Sequence, residues 1–282
     1  MSKIAIVSDS TCDLPSHIIE KFDIKILPLR VIYQNREYRD RVDIQPQEVY
    51  DRLDEEIPTT SLPEPAEIIE LFDQLVEEGY TDAICISISS KLSGTYNLMR
   101  LIANDYDEQK LNIKVVDSKT LSMILGFVVL EAAMKVKASG SVEAVLNTIT
   151  TIRNKIQGCY VLKTLKFLKK GGRIGKVEGT VGELLDIKPI IGIDDEGAYY
   201  TINKARGRKK SIQKIKELID TNFKDKTINI AIIHGGAEEE AKSLMEHVKN
   251  LYSIKESFIT QISPALGVHT GPGLIGYTAY EI

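Results

Sequence analysis

The sequence predicts an α/β protein of two units, the first built on a mainly parallel sheet and the second on a mixed sheet with a hairpin. Short β-branched runs alternate with amphipathic stretches at helical spacing, the pattern of strands covered by helices. The runs of the first half carry few or no charged residues, as strands buried on both faces do. In the second half, two β-rich runs flank Asp194-Asp195-Glu196-Gly197, a turn sequence that closes a hairpin. At 282 residues the chain is long for one domain, and a change of texture near residues 150–158 suggests an N-terminal α/β domain over 1–155 and a C-terminal one over 156–282.

Taken in order, residues 4–7, 83–88 and 113–116 read as strands. Each runs into a polar turn: Ser8-Asp9-Ser10-Thr11, the stretch from Ser89 to Thr95, and Asp117-Ser118. Helices are expected over 15–22, 65–78, 96–105 and 121–138, the last stopped by Ser139-Gly140. The apolar stretch 121–130 is broken by Ser122 and followed by Glu131, short of the roughly 18 residues of a membrane span, so it reads as a buried helix. Residues 26–33, with Pro28 inside, read as one edge strand. Beyond the boundary, 187–193 and 198–201 form the hairpin. A helix follows with Ile212, Ile215, Leu218 and Ile219 on one face, then a strand over 228–233. Another helix aligns Ala241, Leu244, Met245 and Val248, and a last strand covers 258–262.

Composition narrows the function. With 36 Lys and Arg against 40 Asp and Glu, the net charge of -4 disfavours nucleic acid and anionic membranes as broad partners. Cys12, Cys85 and Cys159 are scattered, which suggests neither disulfides nor a zinc knuckle and fits a reducing, cytoplasmic setting. No export signal is expected, because Ile4-Ala5-Ile6-Val7 is short and followed by Asp9. His17, His234, His247 and His269 are isolated, so no metal is expected. Gly271-Pro272-Gly273-Leu274-Ile275-Gly276 spells a dinucleotide fingerprint too near the C-terminus for a βαβ unit to follow. The run from Lys170 to Val177 has the wrong glycine spacing for a phosphate loop. Asp9 and Asp13 suit either a cation or, more simply, a helix cap.

Ser93-Gly94-Thr95 lies between a buried strand and a helix, the corner of an open α/β sheet where ligands sit. Backbone N–H groups and two hydroxyls there suit an anion or carboxylate, and Gly94 would let it approach the backbone. The same residues serve equally as a plain helix cap. Thr59-Thr60-Ser61 on a proline-stiffened loop adds hydroxyls, and His269-Thr270-Gly271 an imidazole beside a permissive backbone.

In order along the chain, Asp9-Ser10-Thr11-Cys12-Asp13-Leu14-Pro15, Thr60-Ser61-Leu62-Pro63, Ser89-Ser90-Lys91-Leu92-Ser93-Gly94-Thr95-Tyr96, Val116-Asp117-Ser118, Leu168-Lys169-Lys170-Gly171-Gly172-Arg173-Ile174, Lys188-Pro189-Ile190 and His269-Thr270-Gly271-Pro272-Gly273 resemble the DegV family of bacterial proteins. Its characterised members are the fatty-acid-binding FakB subunits of fatty acid kinase. The resemblance implies a long-chain fatty acid such as palmitate, stearate or oleate between two α/β domains, its acyl chain buried and its carboxyl near the opening. It implies no cofactor, no catalytic residue and no stable membrane insertion, but a FakA-type kinase that makes the acyl-phosphate for phospholipid synthesis. Carried onto this sequence, Thr60 and Ser93 would bind the carboxyl, with Ser61, Gly94, Thr95, His269 and Thr270 around it. Arg173, Lys169, Lys170, Arg206 and Arg208 would form a basic rim toward the kinase or nucleotide. The family tends to carry glycine where this chain has Ile124, a bulk that narrows whatever the glycine leaves open. The alternative is a small acyl- or phosphoester hydrolase using Ser93 with His269.

Overall fold

The structure, a computed structural model, describes residues 3–180 and 186–282. The chain runs β1 (Ile4–Asp9), α1 (Ser16–Phe22), β2 (Lys25–Leu27), β3 (Arg30–Tyr33), β4 (Arg36–Arg39), α2 (Pro46–Arg52), β5 (Thr59–Ser61) and α3 (Pro65–Glu77). It continues through β6 (Asp82–Ser87), α4 (Thr95–Asp105), β7 (Asn112–Asp117), α5 (Ser122–Ser139), α6 (Val142–Lys155), β8 (Gln157–Val161) and α7 (Lys166–Lys170). The rest is β9 (Ile187–Ile193), β10 (Tyr199–Arg206), α8 (Gly207–Phe223), β11 (Thr227–Gly235), α9 (Glu238–Lys249), β12 (Ser253–Gln261), α10 (Pro264–Thr270) and β13 (Leu274–Glu281).

The α/β class is as the sequence predicts. Strands from residues 4–117 make a four-stranded, wholly parallel sheet in the order β2-β1-β6-β7. Its two central strands are apolar on both faces because α3 and α4 cover one side and α5 the other. Strands from residues 157–281 make a mixed sheet, β10-β9-β8-β13-β11-β12, in which only β11 and β12 run parallel. Helix α5 is apolar all round over residues 123–130, and its buried residues share one core with Ile4 and Ile6 of the parallel sheet and Tyr160, Ile191, Ile233 and Tyr280 of the mixed sheet. One core therefore runs from the parallel sheet through α5 to the mixed sheet.

Two expectations need correction. Residues 26–33 are not one edge strand. Pro28 offers no N–H to a ladder, so the chain leaves the parallel sheet after β2 and joins a separate antiparallel sheet, β4-β3-β5. The segment 258–262 is not the last strand either: β12 is followed by β13, which threads between β8 and β11. Of the literal fingerprint glycines, Gly271 and Gly273 belong to the turn into β13 and Gly276 lies within that strand. Gly271 has φ +66° and lies against the Phe167 ring, and Gly276 faces the backbone of Cys159, so neither place has room for a side chain. The three cysteines are buried and free.

Candidate functional site

At the carboxyl ends of β1 and β6, several separate segments converge on a cavity. Strand β5 contributes Thr60 and Ser61, the loop after β6 contributes Leu92 and Ser93, and α10 contributes Ala265, Leu266 and His269. Arg173 arrives from the loop after α7, and Tyr199 from the first residue of β10. Local hydrogen bonds fix each segment. Asp9 caps the turn after β1 by accepting from Thr11 N–H, and its other oxygen accepts from Ile88 N–H at 2.8 Å, tying the two strand ends together. Thus the cap reading of Asp9 holds. The loop from Ser89 to Thr95 is fastened to the hairpin by Ser89 Oγ donating to the Gly197 carbonyl at 2.8 Å, an approach that leaves no room for a side chain at 197. Ser93 Oγ lies 2.8 Å from Thr95 Oγ1.

The electrostatics favour a small anion. His269 Nε2 is 2.9 Å from Thr60 Oγ1, while Nδ1 is buried without a hydrogen-bond partner among the described residues and is backed by Gly171. Burial, and secondarily the charge of Arg173, push the His269 pKa down to about 4, so the imidazole is neutral at physiological pH. Arg173 donates from Nη1 to the Gly171 carbonyl at 2.6 Å and from Nε to the Leu92 carbonyl at 3.4 Å. It makes no ion pair among the described residues. A half-buried guanidinium beside two hydroxyls and a neutral imidazole presents donors without a carboxylate to satisfy them.

Behind this opening lies a second cavity, walled by Leu121, Ile124, Tyr160, Ile233, Ile262 and Leu274. The two cavities share Tyr199 and Leu266. Of the polar residues that reach the second one, Ser122 Oγ donates to Asp13 at 2.6 Å and Thr270 Oγ1 donates to the Leu266 carbonyl at 3.1 Å, while the Tyr160 hydroxyl is buried with no hydrogen-bond partner among the described residues. The space is apolar in effect.

A buried acid cluster holds the walls. Asp13 accepts from Ser122 Oγ at the start of α5, from Ser263 N–H ahead of α10 at 2.8 Å, and from Arg41 Nη2 at 2.8 Å. Asp40 accepts from Ser10 Oγ and, at 3.0 Å, from Ala265 N–H in α10. Desolvation pushes the Asp40 pKa up to about 6 against those hydrogen bonds. Sequence reasoning assigned Asp13 to a turn and did not notice Asp40, because the partners that tie them to α10, Ser263 and Ala265, lie more than two hundred residues away.

The structure brings together Thr60, Ser61, Ser93 and His269, as expected, and adds Arg173 to them. Thr95 is buried and touches Ser93. Gly94 is the N-cap residue of α4 with φ -77°, a conformation open to any residue, and a Cβ there would meet the Leu62 methyl groups at 3.4 and 3.5 Å. Thr270 turns away from the opening into the apolar cavity. The expected rim does not gather around Arg173. Lys169 lines a separate groove with Lys163, Lys166 and Lys188, and Lys170 lines another with Tyr33 and Thr59. Arg206 is exposed at the end of β10, and Arg208 is ion-paired with Glu240. The physical reason is topological: the short helix α7 splays its lysines to different faces, and β10 carries the arginines to the far end of the hairpin. The Ser93–His269 pairing of a hydrolase is not made either, since the imidazole bonds Thr60 and its other nitrogen meets no carboxylate. Tyr199 and Leu266, the neck between the cavities, were missed; an aromatic in a hairpin and a leucine in a short helix carry no sequence signal of such a role.

The family described as "Uncharacterised protein, DegV family" matches residues 3–281. A DegV domain-containing protein of Clostridium acetobutylicum is 44% identical over the whole of both chains. Among solved structures, DegV of Bacillus subtilis, described as a fatty acid binding protein, is 28% identical with a TM-score of 0.92 over the whole of both chains. A protein of Eubacterium ventriosum described as binding stearic acid is 30% identical with a TM-score of 0.86, covering 99% of this chain and 98% of that one.

Proposed function

This chain belongs to the DegV family, and from that premise we propose that it binds a long-chain fatty acid and presents the carboxyl group to a separate ATP-dependent kinase. The observation that carries the proposal is the pair of adjoining cavities, one lined by hydroxyls, an imidazole and a guanidinium without a carboxylate partner and the next apolar, joined at Tyr199 and Leu266. That is the polarity profile of a fatty acid. Burial of the chain contributes about 0.8 kcal/mol per CH₂, so the apolar cavity supplies most of the affinity. Thr60, Ser93 and Arg173 then orient the carboxylate, and a neutral His269 adds an N–H or an acceptor according to its tautomer.

The chain's own residues orient and do not react. The imidazole has no acid partner, and Ser93 is held by Thr95, so neither is set up as a base or nucleophile. Phosphoryl transfer needs one carboxyl oxygen left accessible, and the opening between β5 and the Ser93 loop is where a kinase would reach it. The setting that fits is the bacterial cytoplasm, where such a kinase and ATP are available.

Native mass spectrometry of the freshly purified protein, followed by denaturation and solvent extraction, tests the reading. A mass excess released as a saturated or monounsaturated long-chain acid is expected. A protein that carries nothing and also refuses added palmitate, stearate and oleate would rule it out.

A further inference from the structure

We infer that Gly171 is the positioning residue of the carboxyl site: the space left by its missing side chain seats the His269 imidazole with Nδ1 bare and Nε2 protonated, so that Thr60 accepts from the imidazole and turns its own O–H toward the ligand. This rests on the fatty-acid reading above, which puts a carboxylate beside Thr60. Helices α7 and α10 interlock through two glycines. Gly271, which ends α10, lies against the Phe167 ring of α7, and Gly171, which ends α7, lies against the His269 ring of α10. The two are glycine for different reasons. Gly271 has φ +66°, a positive value that favours glycine, whereas Gly171 has φ -78° and ψ -4°, which any residue adopts. It is the imidazole, not the backbone, that excludes a side chain at 171.

The seat also fixes the proton. A Cβ on Gly171 would overlap Nδ1 and stand 2.8 Å from Cε1, so the ring presents its Nδ1–Cε1 edge to the glycine. The Cβ position is where one of the glycine's own hydrogens lies, and that C–H therefore points at Nδ1. A bare nitrogen accepts such a contact as a weak hydrogen bond, while an N–H would drive its hydrogen into that of the glycine. Nδ1 is buried with no hydrogen-bond partner among the described residues, so an N–H there would also be a buried donor without an acceptor.

With the proton on Nε2, the 2.9 Å contact has one direction: the imidazole donates and Thr60 Oγ1 accepts. The hydroxyl hydrogen of Thr60 is then left for the carboxylate, and a hydroxyl that accepts one hydrogen bond donates the next more strongly. The opposite tautomer would spend that hydrogen on Nε2 and turn an oxygen lone pair toward the carboxylate. Gly171 sets the guanidinium as well, because its carbonyl accepts from Arg173 Nη1 at 2.6 Å. One residue thus registers the imidazole and the guanidinium, two of the groups that line the opening, against each other.

The test has two arms, both on delipidated protein. Long-range proton–nitrogen correlation spectra of histidine-labelled wild type, with the His269 signals identified by their loss in His269→Ala, should show Nε2 protonated and Nδ1 bare. In Gly171→Ala the added methyl displaces the ring into water, so the His269 signals should move toward the averaged pattern of a free imidazole and titrate near pH ~6.5, where the wild-type ring titrates at about 4. Calorimetric titration with palmitate should show affinity about tenfold lower in Gly171→Ala than in wild type, the loss of roughly one hydrogen bond. The double variant Gly171→Ala/His269→Ala should lose no more than His269→Ala alone, since the glycine acts through the imidazole. A wild-type ring protonated on Nδ1, or losses that add in the double variant, overturns the role of Gly171. The first of these needs no substitution at 171 and decides the matter should Gly171→Ala fail to fold. Wild type that binds no palmitate overturns the fatty-acid reading itself, while the spectra still decide the tautomer.

Discussion

At the scale of single residues, the opening is governed by what each polar group lacks. Arg173 has carbonyl partners but no carboxylate, and Thr60 shares its hydroxyl with an imidazole that burial keeps neutral. Arg173→Met should weaken fatty-acid binding about ten- to a hundredfold, the loss expected for a hydrogen bond to a charged group, and Ser93→Ala about three- to tenfold. Binding of the corresponding fatty alcohol, titrated in parallel, should change little in either variant. Equal losses for acid and alcohol would show that the residues support the fold instead of the carboxylate. Two buried groups also set opposite pH dependences of stability. The Asp40 pKa is raised to about 6 from 3.8, so the folded state holds the extra proton and Asp40 lowers stability as pH rises from about 4 to 6. The His269 pKa is lowered to about 4 from 6.5, so the unfolded state holds the extra proton and His269 raises stability over nearly the same window. The two trends oppose each other. Asp40→Asn should make urea-unfolding stability climb more steeply between pH 4 and 6.5 than in wild type, because one of the buried carboxyls opposing His269 is removed. A slope no steeper than that of wild type contradicts the assignment.

At the scale of elements, the apolar cavity exists because two helix starts are held to one carboxylate. Asp13 engages Ser122 at the start of α5 and Ser263 ahead of α10, and its charge is met by Arg41. Asp13→Asn preserves the shape and tolerates the left-handed backbone at φ 55°, but removes the charge opposite Arg41. Stability should fall by about 1–3 kcal/mol. Hydrogen exchange should quicken in residues 264–270 and 122–126 ahead of the parallel sheet, because those segments lose their shared anchor. Uniform loss of protection across the chain would argue against a local clamp. The strands β1, β6 and β7 and the helix α5 were readable from charge-free runs and apolar length. By contrast, β13 was not, since its glycines look like a loop motif, and α6 was hidden by the β-branched run Thr148-Ile149-Thr150-Thr151, whose hydroxyls in the fold bond back to the helix carbonyls.

At the scale of the whole molecule, α5 lies between two sheets and belongs to the cores of both, so filling the cavity beside it should stabilise the entire fold. Saturating a delipidated sample with oleate to about a hundred times Kd should add about 2.7 kcal/mol and raise the Tm by roughly 5–10 °C. An unchanged Tm under those conditions would mean that the acid does not bind the folded protein. The sequence by itself determined the α/β class, the parallel first sheet and the buried helix, because periodicity and buried runs are local properties, while the resemblance to the DegV family singled out Thr60, Ser61, Ser93 and His269. Only the tertiary structure decided that Arg173 joins those four while Lys169, Lys170 and Arg206 do not, that Thr270 faces the apolar side, and that Asp13 and Asp40 hold α10. Those relations join residues separated by tens to hundreds of positions. They follow from which strand enters which sheet and from where a buried charge finds its partners, and no local pattern encodes either.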